Sequence, residues 1–348
     1  MPSNFWHVIS YICPQYNFNF KKFLKNKMKT SIKLITIAIV MLFSTNSFAQ
    51  TKDDAVNAYN RAATLVSSDP QQAVKAMLEA ADIASKAADA DTIRQMAEQQ
   101  IPVMQYNYAT ALYKEKKMDE AIEGYILARD FAVKYNDNST AEKTNELLPK
   151  LYLSKGINEY KAGQFDAAIA SYQKTVELDS TMARAWLNMG LAYKKLDKDA
   201  EMRTAMDNAI RIGTKTNDEK TVESARKTMG DDLLITANSS FKGNNLQATA
   251  SSLEKALTYS DNNPEIYYLY AVTLNKLSKF DEALAQSQKG LEVEQSDAEK
   301  KARFYFEMGN AQLGKGDNAA ACDSYKKAAV GKLAESANYQ IKTVLKCS

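Results

Sequence analysis

Gly156 and Gly190 stand 34 residues apart, and so do Tyr152 and Trp186. A fixed spacing of that length means one small unit used repeatedly, each copy too short to bury its own apolar face. Anchored on the small residue, the series reads Ala109, Gly156, Gly190, Ala237, Ala271 and Gly309, at spacings of 47, 34, 47, 34 and 38. Twelve residues after each stand Ala121, Ala168, Met202, Thr249, Ala283 and Ala321; Met202 and Thr249 depart from alanine, which makes units 183–216 and 230–263 the divergent ones. Two helices that cross closely need a residue without bulk at the crossing, so Gly156 and Ala168 are expected to face each other. Tyr152, Phe165 and Tyr172 then fill the space around that crossing and touch the next pair. Gly163 ends the first helix, because glycine enters the left-handed C-cap conformation freely.

With 12 Gly and 6 Pro in 348 residues, turn residues are too scarce for a sandwich or barrel, and the remainder suits helices. The expected fold is all-α, a solenoid of antiparallel helix pairs over residues 50–348. Units fall near 54–90, 102–135, 149–182, 183–216, 230–263, 264–297 and 302–331. In the first of these, Ser68-Asp69-Pro70 opens the second helix, with Asp as the cap and Pro at the first helical position; Asn263-Pro264 repeats the signature. Each spacing of 47 is the standard period plus 13 residues. The extra stretches, around 136–148 and 214–229, are polar and read as extended second helices plus loop. After Gly331, an amphipathic helix over residues 332–346 is expected to cover the open end of the array.

The pattern resembles the tetratricopeptide repeat: aromatic at position four, Gly or Ala at eight, aromatic at seventeen, Ala at twenty, aromatic at twenty-four, small at twenty-seven. The resemblance covers residues 54–331 and implies a right-handed superhelix whose first helices line a concave groove that holds a peptide or protein segment. Positions two, five, nine, twelve and thirteen of the first helices face that groove in the family. Here they are Tyr106, Thr110, Tyr113 and Lys114 in the second unit, and Leu153, Ile157, Tyr160 and Lys161 in the third. The fourth supplies Arg184, Leu187, Leu191, Lys194 and Lys195, and the sixth Tyr268, Asn275 and Lys276. The family's carboxylate clamp needs Lys at five and Asn at nine with further basic residues in the next unit; that set is absent. What remains is tyrosine and aliphatic surface edged by lysines, suited to an extended or helical peptide carrying acidic groups.

Residues 1–49 hold the single His7, Trp6 and Cys13, so the chain from Gln50 onward contains no histidine. That excludes Ser–His–Asp and Cys–His nucleophilic sites and His-ligated metals there, and no Gly-rich phosphate loop occurs. Neither a catalytic residue, a cofactor nor a metal is expected. The carboxylate pairs Asp53-Asp54, Asp119-Glu120, Asp231-Asp232 and Asp281-Glu282 read as structural; three of the four stand near helix starts, where they complement the dipole. Cys322 and Cys347 leave two readings open, a disulfide or a buried Cys322 with a loose Cys347. Counted along regular helices, the pair is offset by roughly 10 Å, which unwinding of the last turn could close. Two further functions compete with the groove-binding scaffold: an adaptor subunit of an envelope complex working through the convex face, and a helical envelope hydrolase.

The formal charge of +3 comes from six lysines within residues 1–49, which hold no Asp or Glu; beyond them 39 basic residues face 42 acidic ones. That balance gives no field for a nucleic-acid partner. From Met28 the chain has a positive start, an apolar run over residues 34–43 and the small-x-small ending Ser47-Phe48-Ala49, the three parts of a secretory signal. The run is short for a roughly 30 Å hydrocarbon core, so no permanent span is expected after cleavage. Export to the periplasm or beyond the cell is expected, with residues 1–27 an over-called extension ahead of a true start at Met28. Mass spectrometry of the exported chain is expected to find an N-terminus at or near Gln50; one upstream of residue 28 overturns this reading.

Overall fold

A computed structural model describes residues 50–347, so the extension 1–27 and the signal-like segment 28–49 lie outside the described residues. The described residues form helices and turns with no strand. Along the chain run α1 (Lys52–Leu65), α2 (Pro70–Lys86), α3 (Asp91–Lys114), α4 (Met118–Lys134), α5 (Asn138–Lys161), α6 (Phe165–Leu178) and α7 (Ala183–Lys195). They continue as α8 (Asp199–Thr216), α9 (Glu219–Lys242), α10 (Leu246–Tyr259), α11 (Pro264–Lys276), α12 (Phe280–Val293), α13 (Ala298–Gly314) and α14 (Asn318–Ala328). Each of these helices packs against its predecessor and successor, and α1–α3, α3–α5, α5–α7, α7–α9 and α11–α13 also touch. The result is an α-solenoid: odd-numbered helices form one layer, even-numbered helices the other.

The crossing residues explain why the pairs close. Ala109, Ala237 and Ala271 at position eight are fully buried, as are all six residues twelve later, Met202 and Thr249 included. Thr249 tolerates burial because its hydroxyl donates to the Asn245 carbonyl 2.9 Å away. The residue that demands a glycine at 156 is Tyr172, however, rather than Ala168. A Cβ on Gly156 would lie 2.6 Å from the Tyr172 ring. The same relation, sixteen residues apart, puts Gly190 against Met206 and Gly309 against Tyr325, each at 2.8 Å.

Six turns inside the pairs are built alike. The residue after the first helix's last full turn is left-handed in each: Lys116, Gly163, Asp197, Asn244, Ser278 and Gly316, with φ between 54° and 81°. The next N–H reaches back five residues to a carbonyl, as Lys117 to Leu112 at 3.0 Å and Lys279 to Leu274 at 2.9 Å, satisfying groups the helix end would leave unpaired. Asp69 and Asn263 cap α2 and α11 through the N–H groups of Gln72 and Glu265, each with Pro at the first helical turn.

The extra residues belong to first helices, which corrects the expected second-helix extensions. Helices α3, α5 and α9 are 24 residues long, against 13 for α7 and α11, a difference of about three turns. The chain turns before each polar stretch because Asn136 and Asn217 are left-handed, both at φ 57°. The following Asp137 and Asp218 cap the new helix by accepting from Thr140 and Thr221. Pro102 and Pro149, seven residues before the small residue, mark where an ordinary first helix would begin, and α3 and α5 run straight through them.

Asp53-Asp54, Asp119-Glu120 and Asp281-Glu282 occupy first turns, and Asp119 and Asp281 pair with Lys155 and Lys315 of the following first helices. Asp231-Asp232 sits inside α9, where Asp232 takes Nε and Nη2 of Arg203 at 3.0 and 2.9 Å and Asp231 pairs with Lys227.

The terminal helix is broken rather than continuous. A 3₁₀ turn over Gly331–Leu333, α15 (Ala334–Tyr339) and a π turn over Gln340–Val344 follow one another. Ala337 is buried against Ala321, Tyr325 and Ala328 of α14. The widened last turn lets the Cys347 N–H reach the Ile341 carbonyl at 2.8 Å. Cys347 is thereby brought to a disulfide with Cys322, their Cα atoms 6.0 Å apart.

Since a side chain in the left-handed region costs about 1 kcal/mol, Lys116→Gly and Ser278→Gly are each expected to stabilise the array by up to that amount. Gly163→Ala, with open space around the added Cβ, is expected to destabilise it by a similar amount through backbone strain alone. Chemical denaturation of the three variants checks both signs.

Candidate functional site

The residues expected to line the groove separate into three groups. At the end of α3, Tyr113 is 43% exposed and Lys114 is exposed beside it. Tyr106 is half-buried edge-on against Tyr125, and the Thr110 hydroxyl meets the Tyr125 hydroxyl at 2.9 Å. These two serve packing more than surface.

The second group meets across α5 and α7. Ile157, Tyr160 and Lys161 from α5 and Arg184, Asn188 and Leu191 from α7 surround a cavity of about 210 Å³, with Tyr172 of α6 at its wall. Tyr160 is held edge-on to Phe165, ring centroids 5.3 Å apart. Five of these residues stand at the family's groove positions. Asn188, at position six, was missed, although its place between Arg184 and Leu191 on one helix face was a readable signal. Leu153 and Leu187 are corrections. Both are 9% exposed and sit in the core, Leu187 with Met202, Met206 and Met229, so position five here is spent on packing. Lys194 and Lys195 lie at the end of α7, partly and fully exposed, as solvated charges.

The third group is tied up by α13. Tyr268 stands edge-on to Phe304 with centroids 6.0 Å apart, under the Arg303 guanidinium. The Asn275 side chain donates to the Glu307 carboxylate at 2.8 Å, as Asn310 does at 3.1 Å. Lys276 lies over the Phe241 ring at 5.8 Å. Burial pushes the Glu307 carboxyl above the usual range, against the opposing pull of Asn275, Asn310 and Lys276.

Two cavities that repeat positions do not announce lie elsewhere. One, about 740 Å³, opens between the end of α8, the first turns of α9 and the α10–α11 loop. It exists because α9 projects past its short neighbours. Its lining sets Glu219, Glu223, Asp231 and Asp261 against Arg226 and Lys227, so acidic groups outnumber basic ones there. The other, about 320 Å³, lies among α6, α7 and α8, where Val176, Trp186 and Met189 form an apolar wall. The Trp186 Nε1 is buried there without a hydrogen-bond partner among the described residues.

A raised Glu307 pKa means that protonation stabilises the fold. That contribution is complete below the unfolded pKa and is lost as pH rises through the folded one. Glu307→Gln keeps the shape and an oxygen to accept from Asn275 and Asn310 while removing the buried charge. It is expected to raise the thermal midpoint at pH 7, with the gain gone below about pH 4, where Glu307 is protonated in folded and unfolded chains alike. Thermal scans at both pH values check it; a lowered midpoint at pH 7 overturns it.

Two family models match the chain: one described as TPR repeat over residues 158–197, the other as tetratricopeptide repeat over 183–212 and 302–329. No curated protein matches. Among solved structures, YrrB, described as a TPR protein with an unusual peptide-binding site, is 20% identical, covers 60% of this chain and 94% of its own, and has a TM-score of 0.32. A tetratricopeptide-repeat protein from Parabacteroides merdae is 17% identical, with 84% and 99% covered and a TM-score of 0.29. The TPR2AB domain of yeast Sti1 in complex with pHSP90 is 19% identical, with 71% and 96% covered and a TM-score of 0.29. Superpositions at those scores carry no argument. The chain thus carries tetratricopeptide repeats, matched over residues 158–212 and 302–329, and six of its helix pairs close on a small residue at position eight.

Proposed function

We propose that the chain is a non-catalytic scaffold of the cell envelope that holds a segment of another protein in its groove, anchored at the cavity between α5 and α7. Tetratricopeptide-repeat arrays are interaction scaffolds; the finer reading rests on that cavity. It joins an aliphatic and aromatic wall, Ile157, Tyr160 and Leu191, to two cations, Lys161 and Arg184, that have no ion-pair partner among the described residues. Apolar anchoring with a few polar groups to fix orientation is what peptide recognition requires. The export reading is supported by the signal-like segment and by the Cys322–Cys347 bridge, a pairing that persists in oxidising compartments.

A second reading, an adaptor working through the outer layer, is favoured by the apolar cavity beside Trp186, whose indole donor has no partner among the described residues. The variant Tyr113→Ala/Tyr160→Ala separates the two. With helicity unchanged by circular dichroism, it is expected to weaken capture of an envelope partner at least about tenfold, since buried tyrosines are frequent interface hot spots. Unchanged capture moves the site to the outer face.

A further inference from the structure

Three pairs carry a tyrosine at position twenty-four, Tyr125, Tyr172 and Tyr325, and all three side chains are at most 2% exposed. A phenol buried that deeply needs a partner for its hydroxyl. Tyr125 has the Thr110 hydroxyl at 2.9 Å, and Tyr325 has the Asn310 Oδ1 at 2.7 Å. Both partners are the residue directly after the small residue at position eight. In the third pair that residue is Ile157, which has no polar side-chain atom, and the Tyr172 hydroxyl has no hydrogen-bond partner among the described residues.

Tyr172 lines the α5–α7 cavity, which also receives Lys161 and Arg184. Burial, and to a lesser degree Tyr160 and Glu159, pushes the Tyr172 pKa up, so at neutral pH its hydroxyl is a donor. Glu159, the nearby carboxylate, accepts from the Ser171 hydroxyl at 2.6 Å and lies 3.9 Å from Lys155, which also pairs with Asp119, so two cations face one carboxylate around the cavity. An unused donor, two unpaired cations and the Asn188 amide thus converge on a space of about 210 Å³, whose remaining walls are Ile157 and Leu191. That is room for one side chain, with polar groups around its tip and apolar surface along its stem.

We propose that this cavity is a carboxylate subsite, seating an Asp or Glu side chain of the bound segment on the Tyr172 hydroxyl, Arg184 and Lys161. The inference rests on the groove reading above and adds the chemistry of its ligand. A peptide carboxylate fits better than a free anion, because Ile157 and Leu191 reward a hydrocarbon stem that a small hydrated ion lacks.

The test is a selection of random twelve-residue peptides on the purified chain from Gln50 onward, followed by affinities of an enriched peptide for wild type and variants. Enriched peptides are expected to share an Asp or Glu, and replacing it by Gln or Asn is expected to weaken binding at least about tenfold. Tyr172→Phe keeps the ring against Gly156 and removes a hydroxyl that has no protein partner among the described residues. It is expected to leave thermal stability unchanged or raised, to weaken the acidic peptide about tenfold, and to leave its amide version unaffected. Arg184→Glu is expected to abolish binding of the acidic peptide, and a Lys-bearing version is expected to recover it. Enriched peptides indifferent to Tyr172→Phe and Arg184→Glu overturn the subsite. The groove reading then survives if Tyr113→Ala/Tyr160→Ala still weakens them and falls if it does not. Failure to enrich any peptide counts against both. N-acetylglutamate binding as tightly as the peptide also overturns the proposal, marking a small-anion site.

Discussion

The contact between position eight and position twenty-four sets the spacing within each helix pair. Where position eight is glycine, a large side chain lies directly on it: Tyr172 on Gly156, Met206 on Gly190, Tyr325 on Gly309. A Cβ there would sit 2.6–2.8 Å from its partner, so the two helices approach as closely as backbone and ring allow. Where it is alanine, as at Ala109 and Ala271, the residue is still fully buried. The crossing fixes how far apart the pair's other side chains lie, and therefore which of them reach a neighbour and which face open space.

The tyrosine at this contact has a second consequence. Its ring belongs to the crossing, but its hydroxyl extends beyond the crossing to the layer of first helices, where the next residue along, Thr110, Ile157 or Asn310, decides whether it is satisfied. Packing and recognition are therefore coupled in the third pair: the residue that closes the helices also presents a donor to the cavity. The cations beside it, Lys161 and Arg184, have no ion-pair partner among the described residues, while Asp166 of the same pair lies with Lys198.

Unequal lengths of the first helices shape the rest of the surface. Three turns added to α3, α5 and α9 project past the ordinary repeat, and where a short helix follows, as α11 follows α9, a cleft is left at the edge. At the C-terminal end the array is closed by a short, irregular segment clipped to α14 through Cys322 and Cys347. The segment buries Ala337 fully and Ile341 and Leu345 in part against the last pair, and the covalent link adds to that hold.

The helix pairs, the small residues at their crossings and the glycine turn at Gly163 were legible in the sequence, because each depends on a local requirement that residue size or backbone freedom states directly; that Tyr172 rather than Ala168 lies on Gly156 was not. Also legible were five of the seven cavity residues, Ile157, Lys161 and Arg184 among them, because they stand at positions that the tetratricopeptide-repeat resemblance assigns to the groove. The location of the extra turns was equally present in the sequence, in Asn136-Asp137 and Asn217-Asp218, but a polar stretch has the same composition on either side of a turn. Whether Leu187 faced the groove or the core, whether Asn275 was free or bound to Glu307, and whether Cys347 reached Cys322 were decided only by tertiary structure. Each depends on side chains more than ten residues distant, and periodicity gives a direction from the helix axis without saying what stands there.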